Sequence, residues 1–209
     1  MLPSALLLLT ATVASSQGLE ALEQRLARTP PVSTEFVEYR FSHLLKKPLR
    51  SSGTLEYRAD GVMVRNVVKP ARETTEVDGE QVRITRAGKA TRSLSLQRAP
   101  QLRVLLGSFR ALLQGKLTPL RQDFDVTLAG DAGQWTLTLK PKDPTLAKHL
   151  ARIDVYGRED KPACLEALEP DGDGALTLFA AAPPAAAPPT RADIERTCRT
   201  PAAPGAAAK

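Results

Sequence analysis

From about Ser33 to Leu96 this chain is an almost unbroken run of short β-like segments, and from about Arg121 to Phe179 the run resumes. One helical stretch interrupts it. No cluster of catalytic or metal-binding residues sits on the segments. The pattern predicts a mainly β (α+β) protein built on one curved antiparallel sheet. A sheet with a covering helix makes a container more readily than an enzyme.

The segments are set by local chemistry. Ser33–Ser42 carries Phe36, Tyr39 and Phe41, with a slip in alternation that reads as a bulge. Ser51–Arg58 runs into the Ala59-Asp60-Gly61 turn. In Gly61–Val68, Val62, Val64 and Asn66 alternate with Met63, Arg65 and Val67. Asp78-Gly79 separates the next two segments and is a type I′ hairpin signal. Beyond the interruption, Phe124, Val126 and Leu128 alternate, as do Trp135, Leu137 and Leu139, across the Gly130–Gly133 turn. Asp143-Pro144 starts a short helix. Ala151–Tyr156, Ala163–Glu169 and Ala175–Phe179 complete the strands, the last two joined by Asp171-Gly172-Asp173-Gly174.

Two stretches change period. In Gly18–Arg28, Leu19, Leu22 and Leu26 fall on one helical face, and Thr29-Pro30-Pro31 ends the helix. In Ala99–Gln114, Leu102, Leu105, Leu106, Phe109, Leu112 and Leu113 form a broad apolar stripe. Pro100 suits the first turn, Gly115 suits the stop, and Gly107-Ser108 weaken or kink the middle.

The run Leu2–Val13 has signal-peptide length and is followed by Ala14, Ser15 and Ser16, which predicts a signal peptide over residues 1–16 cut before Gln17. No Lys or Arg precedes the run, so either the start lies upstream or the amino terminus supplies the positive charge. The other reading is a buried N-terminal helix. A permanent span needs ~20 apolar residues. The expected division is a folded domain over 17–180 and an Ala/Pro-rich, partly disordered extension over 181–209.

Export gives the two cysteines meaning. Cys164 and Cys198 are an even pair in an oxidising compartment, which predicts a disulfide. Without Cys-x-x-Cys spacing, redox catalysis and a thiolate zinc site lack support. The formal charge is +6, with Lys and Arg spread along the chain. That distribution suits the wet face of a sheet and offers a positive surface to an acidic partner or anionic lipid headgroups. Nucleic acid is a poor partner for an exported protein, and with aromatic residues at 4% of the chain a stacking platform for single strands is not expected. His43 and His149 have no metal-like spacing, the Asp171–Gly174 turn lacks the ligand series of a calcium loop, and no phosphate loop or nucleophile elbow occurs. No cofactor is expected.

The order of these features resembles a family. An amphipathic helix precedes Glu35-Phe36, then Lys47-Pro48-Leu49-Arg50-Ser51-Ser52-Gly53-Thr54-Leu55, Val64-Arg65, Lys69-Pro70, Asp78-Gly79 and Leu139-Lys140-Pro141-Lys142. Over about Leu19 to Phe179 this is similar to LolA, the periplasmic outer-membrane lipoprotein carrier, and its relatives. The resemblance implies an unclosed β-barrel of curved antiparallel sheet with helices as a lid, holding acyl chains. It implies a monomer that takes lipoproteins from an inner-membrane transporter to an outer-membrane acceptor in the periplasm of a Gram-negative bacterium. It puts Arg65 at the family's Arg, whose hydrogen bonds to the lid close the empty cavity, and Pro100–Leu113 at the lid helix. The expected cavity and lid residues are Phe36, Leu55, Met63, Arg65, Leu102, Leu105, Leu106, Phe109, Leu137 and Leu139. Asn66 replaces the usual aromatic residue, and the cysteine pair and Ala/Pro segment depart from the pattern. Some relatives accompany lipid or polyene biosynthesis systems. Independently of the resemblance, a half-closed sheet lined by Val, Leu and Met buries an acyl chain at about 0.8 kcal/mol per CH₂. The alternative function is a regulatory or scaffold module that uses the same sheet to bind a protein partner. An enzyme on lipid-linked substrates lacks a nucleophile or acid–base pair.

Overall fold

The computed structural model describes residues 11–179 and 190–199. The first part of the expected signal peptide and most of the Ala/Pro segment lie outside the described residues. Six strands come first: β1 Val32–Phe41, β2 Leu49–Tyr57, β3 Met63–Lys69, β4 Glu73–Asp78, β5 Gln81–Arg86 and β6 Arg92–Ser95. Five more follow: β7 Phe124–Gly130, β8 Trp135–Pro141, β9 Arg152–Arg158, β10 Lys161–Leu168 and β11 Gly174–Phe179. They form one 11-stranded antiparallel sheet in the order β6-β5-β4-β3-β2-β1-β11-β10-β9-β8-β7. The fold is the expected unclosed sheet with helices across it.

That order decides where the central helix goes. β6 and β7 follow each other in the chain yet stand at opposite edges of the sheet. The connection between them must cross one face of the curved sheet, and it carries α2, Pro100–Gln114. This helix is continuous through Gly107-Ser108, where a kink was expected. Ser108 is buried and its hydroxyl donates to the Leu105 carbonyl at 2.7 Å, so its polar atom stays within the helix.

The helix α1, Ala11–Leu26, runs across the expected cut before Gln17. Its Leu19, Leu22 and Leu26 are buried in a cluster with Leu117, Leu120, Phe124, Leu139, Leu146 and Ile153. α1 and α2 meet at their C-terminal ends. Gly115, in the left-handed conformation that closes α2, lies so near Leu26 that a Cβ would sit 2.3 Å from its carbonyl. Arg28 N–H donates to the Gln114 carbonyl at 3.2 Å, and Thr118 N–H donates to Glu23 at 3.1 Å. A single-turn helix α3, Pro144–Ala147, starts as expected at Asp143, whose carboxylate accepts from Thr145 N–H at 2.8 Å.

The slip in β1 is not a bulge. β1 pairs in continuous register with β2 and β11, and the irregularities fall at Ser52/Gly53 and Pro162/Cys164. The pattern looks slipped because both faces of the strand are covered. Phe36 and Glu38 point to the concave face, under α2. Val37 and Tyr39 point to the convex face, into a cluster with Tyr156, Cys164, Leu176, Leu178, Ile194 and Cys198.

The last two belong to α4, Arg191–Arg199, within the stretch read as an extension. α4 straps the convex face. Cys198 is bonded to Cys164 of β10, with Cα atoms 5.6 Å apart. The Arg191 guanidinium donates to the Glu166 carboxylate, through Nε at 2.9 Å. Arg191 also donates to the Gly172 carbonyl at 2.7 Å. Glu166 is buried, as a charge can be when it is paired. Tyr156 lies in the same network, and burial first, then the Asp154 and Glu166 carboxylates, push its phenol up to about 12.

Candidate functional site

The concave face encloses a cavity of about 470 Å³ between the sheet and α2. It exists because two packed clusters flank it without meeting. On one side α1 fills the face of β7–β9. On the other, Tyr57, Met63, Val77, Val82 and Leu96 pack beneath Leu102, Leu106 and Leu113 of α2. Phe109 touches both clusters, and the void lies below it.

The floor is a set of cross-strand rows, because residues paired in register share a face. Ser51, Glu38, Thr177, Leu165, Val155 and Leu137 form one row across six strands. Thr34, Leu55, Arg65 and Thr75 form another. Trp135 walls the end near the β9–β10 turn. Its ring lies over Gly157, where a Cβ would sit 2.0 Å from the indole, and its Nε1–H donates to the Glu159 carbonyl at 3.2 Å. At the same end Arg28 closes on Asp160, donating to its carboxylate at 2.7 Å and its carbonyl at 2.8 Å.

A second ion pair stands on the floor, away from the Arg28–Asp160 end. Arg65 donates to Glu38 Oε1 at 3.0 Å and lies over the Phe36 ring, 4.7 Å from its centre. Ser51 Oγ accepts from Arg65 at 3.4 Å, and Thr177 Oγ1 lies 3.5 Å from the other carboxylate oxygen. Each charge is about three-quarters buried. Arg65 was expected to bond the lid backbone. Among the described residues its hydrogen bonds go to Glu38 and Ser51 instead, because Glu38 offers a full counter-charge from the same floor.

Of the residues read from the sequence, Phe36, Leu55, Met63, Arg65, Leu106, Phe109 and Leu137 line the cavity. Three do not. Leu139 has no exposed surface and packs in the cluster with Leu146 and Ile153. Leu105 turns toward that same cluster, and Leu102 packs toward Tyr57 and Val82. The lining also includes residues that the reading missed: Glu38, Val77, Trp135, Val155, Leu165 and Phe179. Strand parity alone would have added Val155 and Leu165. Glu38 carries no local sign of the counter-charge that meets it from β3.

The remaining polar candidates stand apart. His43 and His149 are exposed and lie outside the cavity lining. The His43, Asp171 and Asp173 side chains approach one another at the β10–β11 turn. Asp173 holds its carboxyl below the ordinary range because it accepts from the Ser42 hydroxyl and from His43, whose N–H lies at 2.8 Å. Among the described residues no helix is long and apolar enough to cross a membrane.

The family model described as outer membrane lipoprotein carrier protein LolA-like matches residues 11–201. This chain belongs to that family. No curated protein matches it. Solved structures similar to the LolA-like chain include a LolA superfamily protein of Nitrosomonas europaea, at 7% identity and TM-score 0.41, covering 80% of this chain and 92% of that one. The Pseudomonas aeruginosa MucA/MucB complex is matched at 14% identity and TM-score 0.39, covering 80% of this chain and 59% of that one. A structure of MucB alone is matched at 15% identity and TM-score 0.43, covering 88% and 65%. The chain thus spans less than two thirds of the MucB chains. The LolA-like fold of this chain has room on its concave face for a partner molecule, lipid or protein.

Proposed function

We propose that this protein is a non-enzymatic periplasmic carrier that shields an acyl chain of a lipoprotein or related lipid beneath α2. It would receive that cargo from an inner-membrane transporter and pass it to an outer-membrane acceptor. The observation that carries the reading is the cavity itself. At about 470 Å³ it lies within the ~300–1,000 Å³ range of ligand sites, and its lining is mostly Leu, Val, Phe, Met and Trp, with two ion pairs, Arg65–Glu38 and Arg28–Asp160, whose charges are matched within the protein. Such a lining rewards each buried methylene and asks no hydrogen bonds of the ligand.

A second reading puts an apolar segment of a protein partner in the same cavity. The Arg65–Glu38 pair supports it, since a peptide backbone has groups that can exchange bonds with that pair. MucB, among the solved structures similar to this chain, is found in complex with a protein, MucA.

The test is uptake of a fluorescent fatty-acyl probe by the wild-type chain and by Leu55→Trp. Leu55 stands on the cavity floor and is half-buried, so the larger ring fills space without breaking the packed clusters. Probe affinity should fall at least tenfold while the unfolding temperature moves by only a few degrees. Equal affinity in both proteins, or no uptake by the wild type, would reject the acyl-chain reading.

A further inference from the structure

The two ends of the β1–β6 half of the sheet differ in charge. The β2–β3 and β4–β5 turns at one end carry Asp60, Asp78 and Glu80. The opposite end holds the β1–β2 loop over residues 42–48, the β3–β4 turn and the β5–β6 turn. There Lys46, Lys47, Arg50, Lys69, Arg72, Lys89 and Arg92 are exposed, and among the described residues none of them is ion-paired. Of the acids near this end, Glu73 pairs with Arg86, Glu169 with Arg40 and Asp173 with His43, and Asp171 accepts from the Asp173 backbone N–H at 3.0 Å.

Exposed apolar side chains collect at the same end. Among the described residues the exposed large hydrophobics are Leu44, Leu45, Leu49 and Val68. Leu44 is 81% exposed and Leu49 58%. They sit on the β1–β2 loop and at the adjoining ends of β2 and β3, interleaved with Lys46, Lys47, Arg50 and Lys69.

We propose that this end of the sheet docks on an anionic phospholipid bilayer. Leu44, Leu45, Leu49 and Val68 enter the apolar boundary, and the four interleaved cations meet the phosphates. The pairing of chemistries argues for a bilayer. Protruding leucines gain from an apolar medium, and Lys and Arg beside them extend their charged ends back to the headgroups. An acidic protein surface would satisfy the cations and leave the leucines without a partner. Docking would also orient the cavity. Glu38 lies two residues, about 7 Å, from the Arg40–Leu49 pair at the strand end. The Arg65–Glu38 side of the cavity would then face the membrane. The inference does not rest on the acyl-chain reading.

The experiment is sedimentation of the purified chain with vesicles of phosphatidylcholine alone or mixed equally with phosphatidylglycerol. Binding should require phosphatidylglycerol and weaken with salt. Each cation near such a surface contributes roughly fivefold, so Lys46→Glu with Lys47→Glu should weaken binding at least tenfold. Leu44→Ser with Leu45→Ser should remove the binding that survives high salt. Arg98→Glu, on an exposed residue away from this end, should change little. Leu44→Trp should shift its emission to the blue on the mixed vesicles. Equal binding to both vesicle types, equal loss in Arg98→Glu, or unshifted Leu44→Trp emission would overturn the proposal. Capture of an acidic protein without vesicle binding would also overturn it. Acyl-probe uptake by the Lys46/Lys47 double variant should stay normal, which separates failure here from failure of the carrier reading.

Discussion

The central strands carry two apolar faces, and the chain treats them in opposite ways. On the convex face α4 lies directly on Tyr39, Tyr156, Leu176 and Leu178, and no residue of that cluster exceeds 7% exposure. A disulfide and a buried charge pair hold the strap down. On the concave face the connection from one sheet edge to the other carries α2, which packs on two flanking clusters and leaves a void between them. A short helix tied at both ends can settle into a groove. α2 instead rests on a packed cluster to either side, and the floor between the two is left uncovered. Closure on one face and vacancy on the other follow from what each helix is tethered to.

The contrast can be broken most strongly at Arg191. Arg191→Leu leaves Glu166 buried without its counter-charge, and loss of one partner from such a pair costs about 3 kcal/mol or more. Denaturant unfolding should show that loss, and a change within experimental scatter would mean that α4 adds nothing to the fold. The disulfide comes next. Cys164→Ser with Cys198→Ser frees a loop with a sequence separation of 34. The chain-entropy model puts the loss at about 3–4 kcal/mol. Because Arg191–Glu166 still holds α4, the double variant should stay folded with the convex face covered, and hydrogen exchange over Leu176–Leu178 would reveal any release.

The smallest expected effect is on the open face. Arg65→Leu removes a pair whose charges keep 29% and 27% exposure, and Glu38 retains Ser51 and Thr177 as neighbours. Stability should fall by about 1 kcal/mol or less, as for partly solvated pairs. Acyl-probe uptake should hold or improve, and delivery to an acceptor should slow if the pair gates the cavity. Paired loading and transfer assays separate these outcomes. A loss as large as that for Arg191→Leu would erase the distinction between the two faces.

Much of this was readable along the chain, because strand, turn and helix signals act over a few residues. Asp78-Gly79 turns wherever it occurs between two strands, and Leu19, Leu22 and Leu26 share a helical face by spacing alone. Membership of the LolA-like family was equally readable, since it rests on the order of such segments. The cavity was not, because it depends on which residues meet across long distances. Leu137 and Leu139 alternate identically on β8, yet one reaches the void and the other is packed with Ile153 and Leu146. Leu105 and Leu106 are neighbours on α2 and turn to different clusters. Glu38 reads as a solvated acid until β3 brings Arg65 across β2 to meet it. The Cys164–Cys198 bond was readable from the cysteine pair, but α4 reads as part of a tail until Arg191 finds Glu166. Periodicity determined which residues would be buried. Only the curvature of the sheet and the span of α2 decided where burial would stop short and leave room, because a void is set by the distance between packed elements and no single segment encodes it.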